Sequence, residues 1–113
     1  MKREANFKNA QQDAEILKAH LEKSISKKYD VDALGKAIYK SPSQAVRIFK
    51  KVYGITPYAY YSARRLEEAS KLLKDTELTI KEIAFKLGFA DEYYFSVAFK
   101  QQTGFNPSDF RKK

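Results

Sequence analysis

Three side chains near the middle of the chain have the types and the spacing needed to contact a polyanion. Ser43, Arg47 and Lys50 lie at positions i, i+4 and i+7, so a helix places them on one face. Cationic groups on such a face bind phosphate oxygens, and an arginine fork also reads guanine O6 and N7. The pattern predicts a nucleic-acid-binding surface, for which a solvated, salt-bridged face is the alternative.

The net charge supports this interpretation, because the positive excess is concentrated around the same stretch. The 113-residue chain carries a formal charge of +8. Residues 40–74 contain eight basic and two acidic side chains, whereas residues 1–39 carry only +2 and residues 75–113 are balanced. A basic balance indicates nucleic acid or an anionic membrane surface as partner, and solubility alone is the simpler alternative.

Composition and motifs argue against several other kinds of site. The chain has no cysteine, so disulfides and thiolate metal sites are excluded. His20 has no second histidine or cysteine with which to share a metal, and no paired carboxylates, nucleophile motif or glycine-rich phosphate loop stands out. No apolar run approaches the roughly 20 residues of a membrane span. We therefore expect no enzyme activity, no cofactor, no metal and no membrane partner.

Hydrophobic spacing predicts a chain that is all helix. Ile16, Leu17, Leu21 and Ile25 form one apolar stripe, whereas the polar residues 1–12 are expected to be a frayed tail or the remnant of a linker. The predicted helices cover about residues 13–27, 32–38, 42–53, 57–74, 80–87, 92–103 and 108–110.

Capping signals mark the starts of the helices that carry the candidate residues. Ser41 and Gln44 have the spacing of a capping box, with Pro42 at the first helical position, and Asp91 is a good N-cap for the later helix. The buried positions are predicted to be Ala45, Ile48, Phe49 and Val52 in one helix, and Phe95, Ala98 and Phe99 in the other.

These two helices each carry one copy of a sequence repeat. Residues 49–57 read "FKKVYGITP" and residues 99–107 read "FKQQTGFNP". Each copy follows a short helix and a turn, which is the order of a helix-turn-helix pair that presents its second helix to the major groove. Two such pairs could reach two successive groove faces, about 34 Å apart on B-DNA. The repeat therefore predicts a chain that contacts DNA twice.

The segments "SPSQAVRIFKKVYGITPYAYYSARRLEEASKLL" and "IKEIAFKLGFADEYYFSVAFKQQTGFNPSDFR" closely resemble the DNA-binding domain of AraC/XylS-type transcription regulators. The resemblance covers about Asp13 to Arg111. It implies an all-α fold of about seven helices, with two helix-turn-helix subdomains at residues 13–56 and 76–113 joined by a long linker helix at residues 57–75.

The resemblance also implies two recognition helices, near residues 42–53 and 92–103. By position, the base-contact candidates are Ser43, Gln44, Val46 and Arg47 in the first helix, and Glu92, Tyr93, Ser96 and Val97 in the second. The phosphate-contact candidates are Lys50, Lys51, Arg65 and Lys100. For Arg65, local packing is an open alternative to a phosphate contact.

Four positions depart from the family pattern or have a simpler explanation. Gly35 stands inside a helix where alanine is usual, which costs about 1 kcal/mol. Tyr39 replaces a common glycine, so the first turn is expected to be less tight or strained. Val97 replaces a residue that is often arginine; it could touch a thymine methyl, and Glu92 could accept from cytosine N4. A first-turn acid favoured by the helix dipole is the preferred explanation for Glu92.

The sequence thus predicts a domain that binds specific sites on double-stranded DNA in transcription regulation. A nonspecific architectural binder and a protein-interaction module of a larger regulator are the alternatives. We expect cytoplasmic localisation, RNA polymerase as a candidate partner, and a sensing or dimerisation domain outside this chain.

Overall fold

The computed structural model describes the backbone of residues 2–113 and the side chains of residues 9–113. Over these residues the chain forms seven helices and no strand, which confirms the predicted fold class. The helices are α1 (Lys2–Lys23), α2 (Val31–Ala37), α3 (Pro42–Tyr53), α4 (Pro57–Asp75), α5 (Ile80–Lys86), α6 (Glu92–Thr103) and α7 (Pro107–Lys112).

The first helix differs from its prediction at both ends. It begins at Lys2 rather than near Asp13, because residues 2–12 contain neither glycine nor proline and are rich in good helix formers. It ends at Lys23 rather than near Lys27. Just after this end, the Ser24 hydroxyl donates to the His20 carbonyl at 2.6 Å.

The buried stripe of α1 also differs from the predicted one. Ala14, Leu17 and Leu21 are buried, whereas Ile16 is 47% exposed. Ile16 was therefore wrongly assigned to the core, because Ala14 and not Ile16 completes the row with Leu17 and Leu21 at i, i+3 and i+7.

The chain divides into two compact units inside α4. Unit 1 comprises the chain up to Ser24 together with Tyr29–Tyr61, and unit 2 comprises Ile25–Lys28 and Ser62–Lys113. Residues of both units thus belong to α4, and the proposed division into two subdomains and a separate linker helix stays a prediction.

The core of unit 1 holds α3 by its apolar face. Phe49 and Ala45 of α3 are fully buried, and Phe49 packs its ring against Tyr53 and Tyr60 at centroid distances of 4.7 and 5.7 Å. The buried cluster of this unit is Leu17, Leu21, Leu34, Ile38, Ala45, Phe49 and Tyr61.

The core of unit 2 holds α6 in the corresponding way. Phe95 and Phe99 are fully buried, with ring centroids 5.7 Å apart, and Phe99 also meets Phe110 at 5.1 Å. The buried cluster of this unit is Leu66, Ala69, Leu73, Ile83, Ala84, Leu87, Phe95 and Phe99.

Side-chain caps begin the helices that lead to the candidate site. The Gln44 amide donates to Ser41 Oγ at 3.1 Å, and Gln44 Oε1 accepts from the Ser41 amide at the same distance. Asp91 accepts from the Tyr94 amide at 2.8 Å. These contacts satisfy amides that the first turn leaves without partners, and they confirm the predicted starts of α3 and α6.

The turn between α2 and α3 contains a residue in an uncommon conformation. The Tyr39 amide donates to the Lys36 carbonyl at 3.2 Å and the Lys40 amide to the Gly35 carbonyl at 2.9 Å, which is the hydrogen-bond pattern of a Schellman motif. Tyr39 consequently adopts a left-handed backbone with φ of 59°. Of the two expectations for this turn, strain is the one that this backbone conformation supports, because both hydrogen bonds of the turn are closed.

Gly35 is required by the close approach of the same turn. A Cβ at this position would lie 2.6 Å from the Lys40 carbonyl oxygen and 2.9 Å from the Pro42 nitrogen. Both neighbours are backbone atoms, which cannot move aside as a side chain could. Glycine is unfavourable for the helix itself, but its lack of a Cβ allows α2 to pack closely against the backbone at the start of α3.

Candidate nucleic-acid interface

Helix α3 separates a buried apolar face from an exposed basic one. Ala45 and Phe49 have no solvent exposure, and Ser43, Arg47 and Lys50 are exposed on the other side. Lys51 is exposed as well. Because α3 contains three basic residues and no acidic one, its exposed face is cationic from Arg47 to its last turn.

The base-contact candidates of α3 differ in how accessible they are to a ligand. Ser43 and Arg47 are exposed, while Val46 is half-buried. Gln44 is exposed, but its carbonyl oxygen already accepts from the Ser41 amide. Ser43, Val46 and Arg47 line a shallow groove together with Val31 and Pro42. This face can therefore offer an arginine fork beside a small apolar surface.

Helix α6 has the same division but a different exposed face. Phe95 and Phe99 are buried, whereas Tyr93 is 73% and Val97 38% exposed. Lys100 is exposed, Ser96 is half-buried, and Glu92 is exposed in the first turn.

Arg47 and Val97 occupy equivalent positions in their helices. Each follows its N-cap residue, Ser41 or Asp91, by six positions. The exposed face of α6 is thus aromatic and aliphatic where that of α3 is basic, and Lys100 is its only basic residue.

An apolar groove lies between α5 and α6 that the sequence pattern did not predict. Phe85 is 85% exposed, and the groove beside it is lined largely by apolar side chains, among them Phe89, Ala90 and Tyr93. A signal existed in "IKEIAFKLG", since Phe85 falls outside the stripe formed by Ile83 and Leu87. An aromatic residue away from the buried stripe of a short helix indicates an exposed apolar surface.

Arg65 has local partners within unit 2. Its Nε and Nη2 atoms donate to the Leu87 carbonyl oxygen at 3.1 and 2.8 Å, and its guanidinium lies 3.8 Å from the centroid of the Phe89 ring. The side chain is only partly exposed. These contacts stabilise the end of α5 and the turn that precedes α6. Contact of Arg65 with phosphate stays a prediction.

Neither a metal-binding cluster nor a membrane-spanning helix is found in the part of the chain that the structure describes. No group of three His, Cys, Asp or Glu side chains among these residues could hold a metal ion. Each of the described helices is too short or too polar to cross a lipid bilayer.

Comparison with known proteins connects this geometry with transcription regulators. A family model described as a helix-turn-helix domain matches residues 34–113. The bifunctional transcriptional activator/DNA repair enzyme AdaA of Bacillus subtilis is 33% identical over 98 residues, which cover 87% of this chain and 46% of AdaA. The chain spans less than half the length of this relative and of two other curated relatives that it matches.

Two solved structures share the fold. An AraC-type DNA-binding-domain regulator from Chromobacterium violaceum is similar with a TM-score of 0.81 and 26% identity, covering 90% of this chain and 91% of that one. The DNA-binding domain of AdpA, a global transcriptional factor solved in complex with a target DNA, is similar with a TM-score of 0.79 and 26% identity, covering 88% and 89%.

Proposed function

Because this chain belongs to the AraC/XylS family of helix-turn-helix transcription regulators, whose domains bind DNA, we propose that it recognises specific sites on double-stranded DNA through the exposed faces of α3 and α6. Each helix enters one major-groove segment, so that one chain contacts two segments of its site. The base-contact and phosphate-contact candidates named from the sequence are the residues we assign to this task, with the helix dipole as the alternative role of Glu92 and local packing as that of Arg65.

The observation that carries the proposal is the exposed position of Arg47 on a helix that is held from the other side. Phe49 and Ala45 are fully buried, so α3 is fixed by its core face while Arg47 extends from the opposite one. A guanidinium presented by a rigid helix can make the bidentate contact to guanine that supplies base discrimination.

The two helices contribute unequally to affinity. Arg47, Lys50 and Lys51 belong to the exposed part of α3, and each phosphate that such a cation neutralises releases a condensed counterion. Helix α6 has Lys100 alone for this purpose. Unit 1 therefore supplies most of the electrostatic affinity, and unit 2 adds contacts once unit 1 is bound.

Further parts and partners are also proposed for the regulator to which the domain belongs. We propose that it acts in the cytoplasm and has no enzyme activity of its own. A sensing or dimerisation domain accompanies it in the same regulator, and RNA polymerase is the protein partner that responds to DNA binding. The relatives' greater length supports the additional domain.

Selection from a random library of 30-base-pair duplexes at about 150 mM salt tests the proposal. We expect a motif of two boxes with centres about 10–11 base pairs apart. The box with the stronger base preference should lose that preference in the Arg47→Ala variant but keep it in Lys23→Ala, which removes an exposed charge at the end of α1.

The alternatives give different results in the same selection. Binding without an enriched motif would indicate an architectural binder. The absence of binding would indicate that the domain needs a missing partner, or that its main surface meets protein.

A further inference from the structure

We propose that unit 2 recognises thymine, through apolar contact of Val97 and Tyr93 with the 5-methyl group in the major groove. This inference rests on the proposed function, since it assigns a base preference to the second of the two boxes. It makes the readout of α6 chemically different from that of α3.

The position of Val97 in α6 corresponds to that of Arg47 in α3. Val97 stands where Arg47 stands in α3, six residues after the N-cap, and both residues are exposed on the side opposite two buried core residues. A helix that lies in the groove as α3 does therefore brings a valine side chain, and not a guanidinium, to the base edges. Thymine is the base that presents a methyl group there.

The residues around Val97 extend its apolar surface. Tyr93 precedes it by one helical turn and is 73% exposed, so the two side chains form one apolar strip. The groove of Phe89 and Ala90 borders the same end of the helix. Water covers this strip in the free protein, and a methyl group that replaces the water gains the free energy of apolar burial.

The charges of α6 argue against recognition of guanine. The helix has no arginine, and Lys100 is its one basic residue. The first turn carries Glu92, and the Asp91 carboxylate accepts the Tyr94 amide, so acceptors rather than donors lie near the start of the helix. The face therefore lacks the guanidinium fork that makes the bidentate contact to O6 and N7 of guanine, whereas its valine can contact the methyl of thymine.

A weak apolar contact suffices because unit 2 is covalently linked to unit 1. Once α3 is bound, the second contact is intramolecular and benefits from a high effective concentration. A single methyl contact then adds selectivity even though residues 75–113 have no net charge with which to attract DNA.

Replacement of thymine by deoxyuridine tests the proposal, because it removes the 5-methyl group and keeps the base pair. The full 113-residue chain is titrated by fluorescence anisotropy with its selected duplex, in which one thymine at a time becomes deoxyuridine. We expect one or two positions in the α6 box to weaken binding about 3- to 5-fold, the value for loss of one buried methyl group. Deoxyuridine in the flanking sequence should change nothing.

Variants of Val97 connect the effect to the side chain. In Val97→Ala the deoxyuridine penalty should fall below about 2-fold, while Val97→Ile, which keeps the apolar contact, should retain it. Phe105→Ala, which truncates a side chain as exposed as that of Val97, should behave as the unchanged chain. The loss on deoxyuridine substitution should also be equal at 100 and 300 mM salt, since no ion is released by a methyl contact.

The outcomes separate this inference from the proposed function. A two-box motif whose second box lacks thymine, or shows no deoxyuridine effect, overturns the thymine readout and leaves specific DNA binding in place. A one-box motif with unchanged affinity in Val97→Ala overturns it as well, because the apolar strip then contributes nothing to DNA binding. Failure to enrich any motif overturns both.

Discussion

Tyr39 and Gly88 occupy the same backbone position in the two helix-turn-helix units. Each is the first residue after the C-cap of the short helix, and each has a left-handed backbone, with φ of 59° and 77° respectively. In both turns the next amide closes the same type of hydrogen bond, from Lys40 to Gly35 and from Phe89 to Ala84. The first unit thus has a tyrosine at a position where the second has a glycine, and glycine adopts this backbone conformation without strain.

Replacement of Tyr39 by glycine should stabilise the domain. A non-glycine residue in this region costs roughly 1–2 kcal/mol, part of which the flexibility of an unfolded glycine offsets. The ring is 96% exposed, so its loss removes little packing. We expect Tyr39→Gly to raise the free energy of unfolding by about 0.5–1 kcal/mol in urea denaturation. Tyr39→Ala keeps the Cβ and should give no such gain; an equal gain in both would trace the effect to the ring.

Replacement of Gly35 by alanine should destabilise the domain, although helix propensity alone predicts a gain of about 1 kcal/mol. The added methyl would lie 2.6 Å from the Lys40 carbonyl oxygen, and overpacking of this kind typically costs about 1–3 kcal/mol. The sign of the change in unfolding free energy, measured by urea denaturation, decides between the two effects. A more stable Gly35→Ala variant would show that the turn yields easily.

Helix bounds could be predicted where the signals are local. Ser41, Pro42 and Gly54 determine the start and end of α3 through neighbouring backbone groups, so its bounds were correct to the residue. The start of α1 could not be found by periodicity, because the polar residues 2–12 have no apolar stripe to reveal them. Ile16 shows the converse error, since an apolar residue next to a buried one is not itself buried.

The candidate site likewise has features that helical spacing predicts and features that it does not. The exposure of Arg47 follows from the spacing of Ala45 and Phe49 on the other face of α3, so a helical pattern was enough to predict it. The need for glycine at position 35 and the groove beside Phe85 depend on how a second helix approaches. Those features are set by tertiary contacts, which spacing along one helix does not encode.

Arg65→Lys separates a structural role from a phosphate contact, because lysine keeps the charge. Lysine cannot reproduce two hydrogen bonds from a planar group to the Leu87 carbonyl, nor stack in the same way on Phe89. We expect the free energy of unfolding to fall by about 1–2 kcal/mol, while the salt dependence of DNA binding is unchanged. Urea denaturation and binding titrations at several salt concentrations measure the two. Unchanged stability with weaker DNA binding would instead favour the phosphate role.

Arg47→Ala and Lys50→Ala should weaken DNA binding in two distinguishable ways. Loss of the arginine fork should cost about 1–3 kcal/mol on the preferred site and relax the choice of base there. Loss of the Lys50 ammonium should weaken preferred and scrambled duplexes alike and reduce the slope of log K against log salt by about one.

Anisotropy titrations of both duplexes at several salt concentrations measure these quantities, with Lys23→Ala as the charge-matched control. An Arg47→Ala variant with full affinity for the preferred site would remove this residue from base recognition. A Lys50→Ala loss confined to one sequence would argue against a phosphate contact, because phosphates are the same in every duplex and only base edges differ.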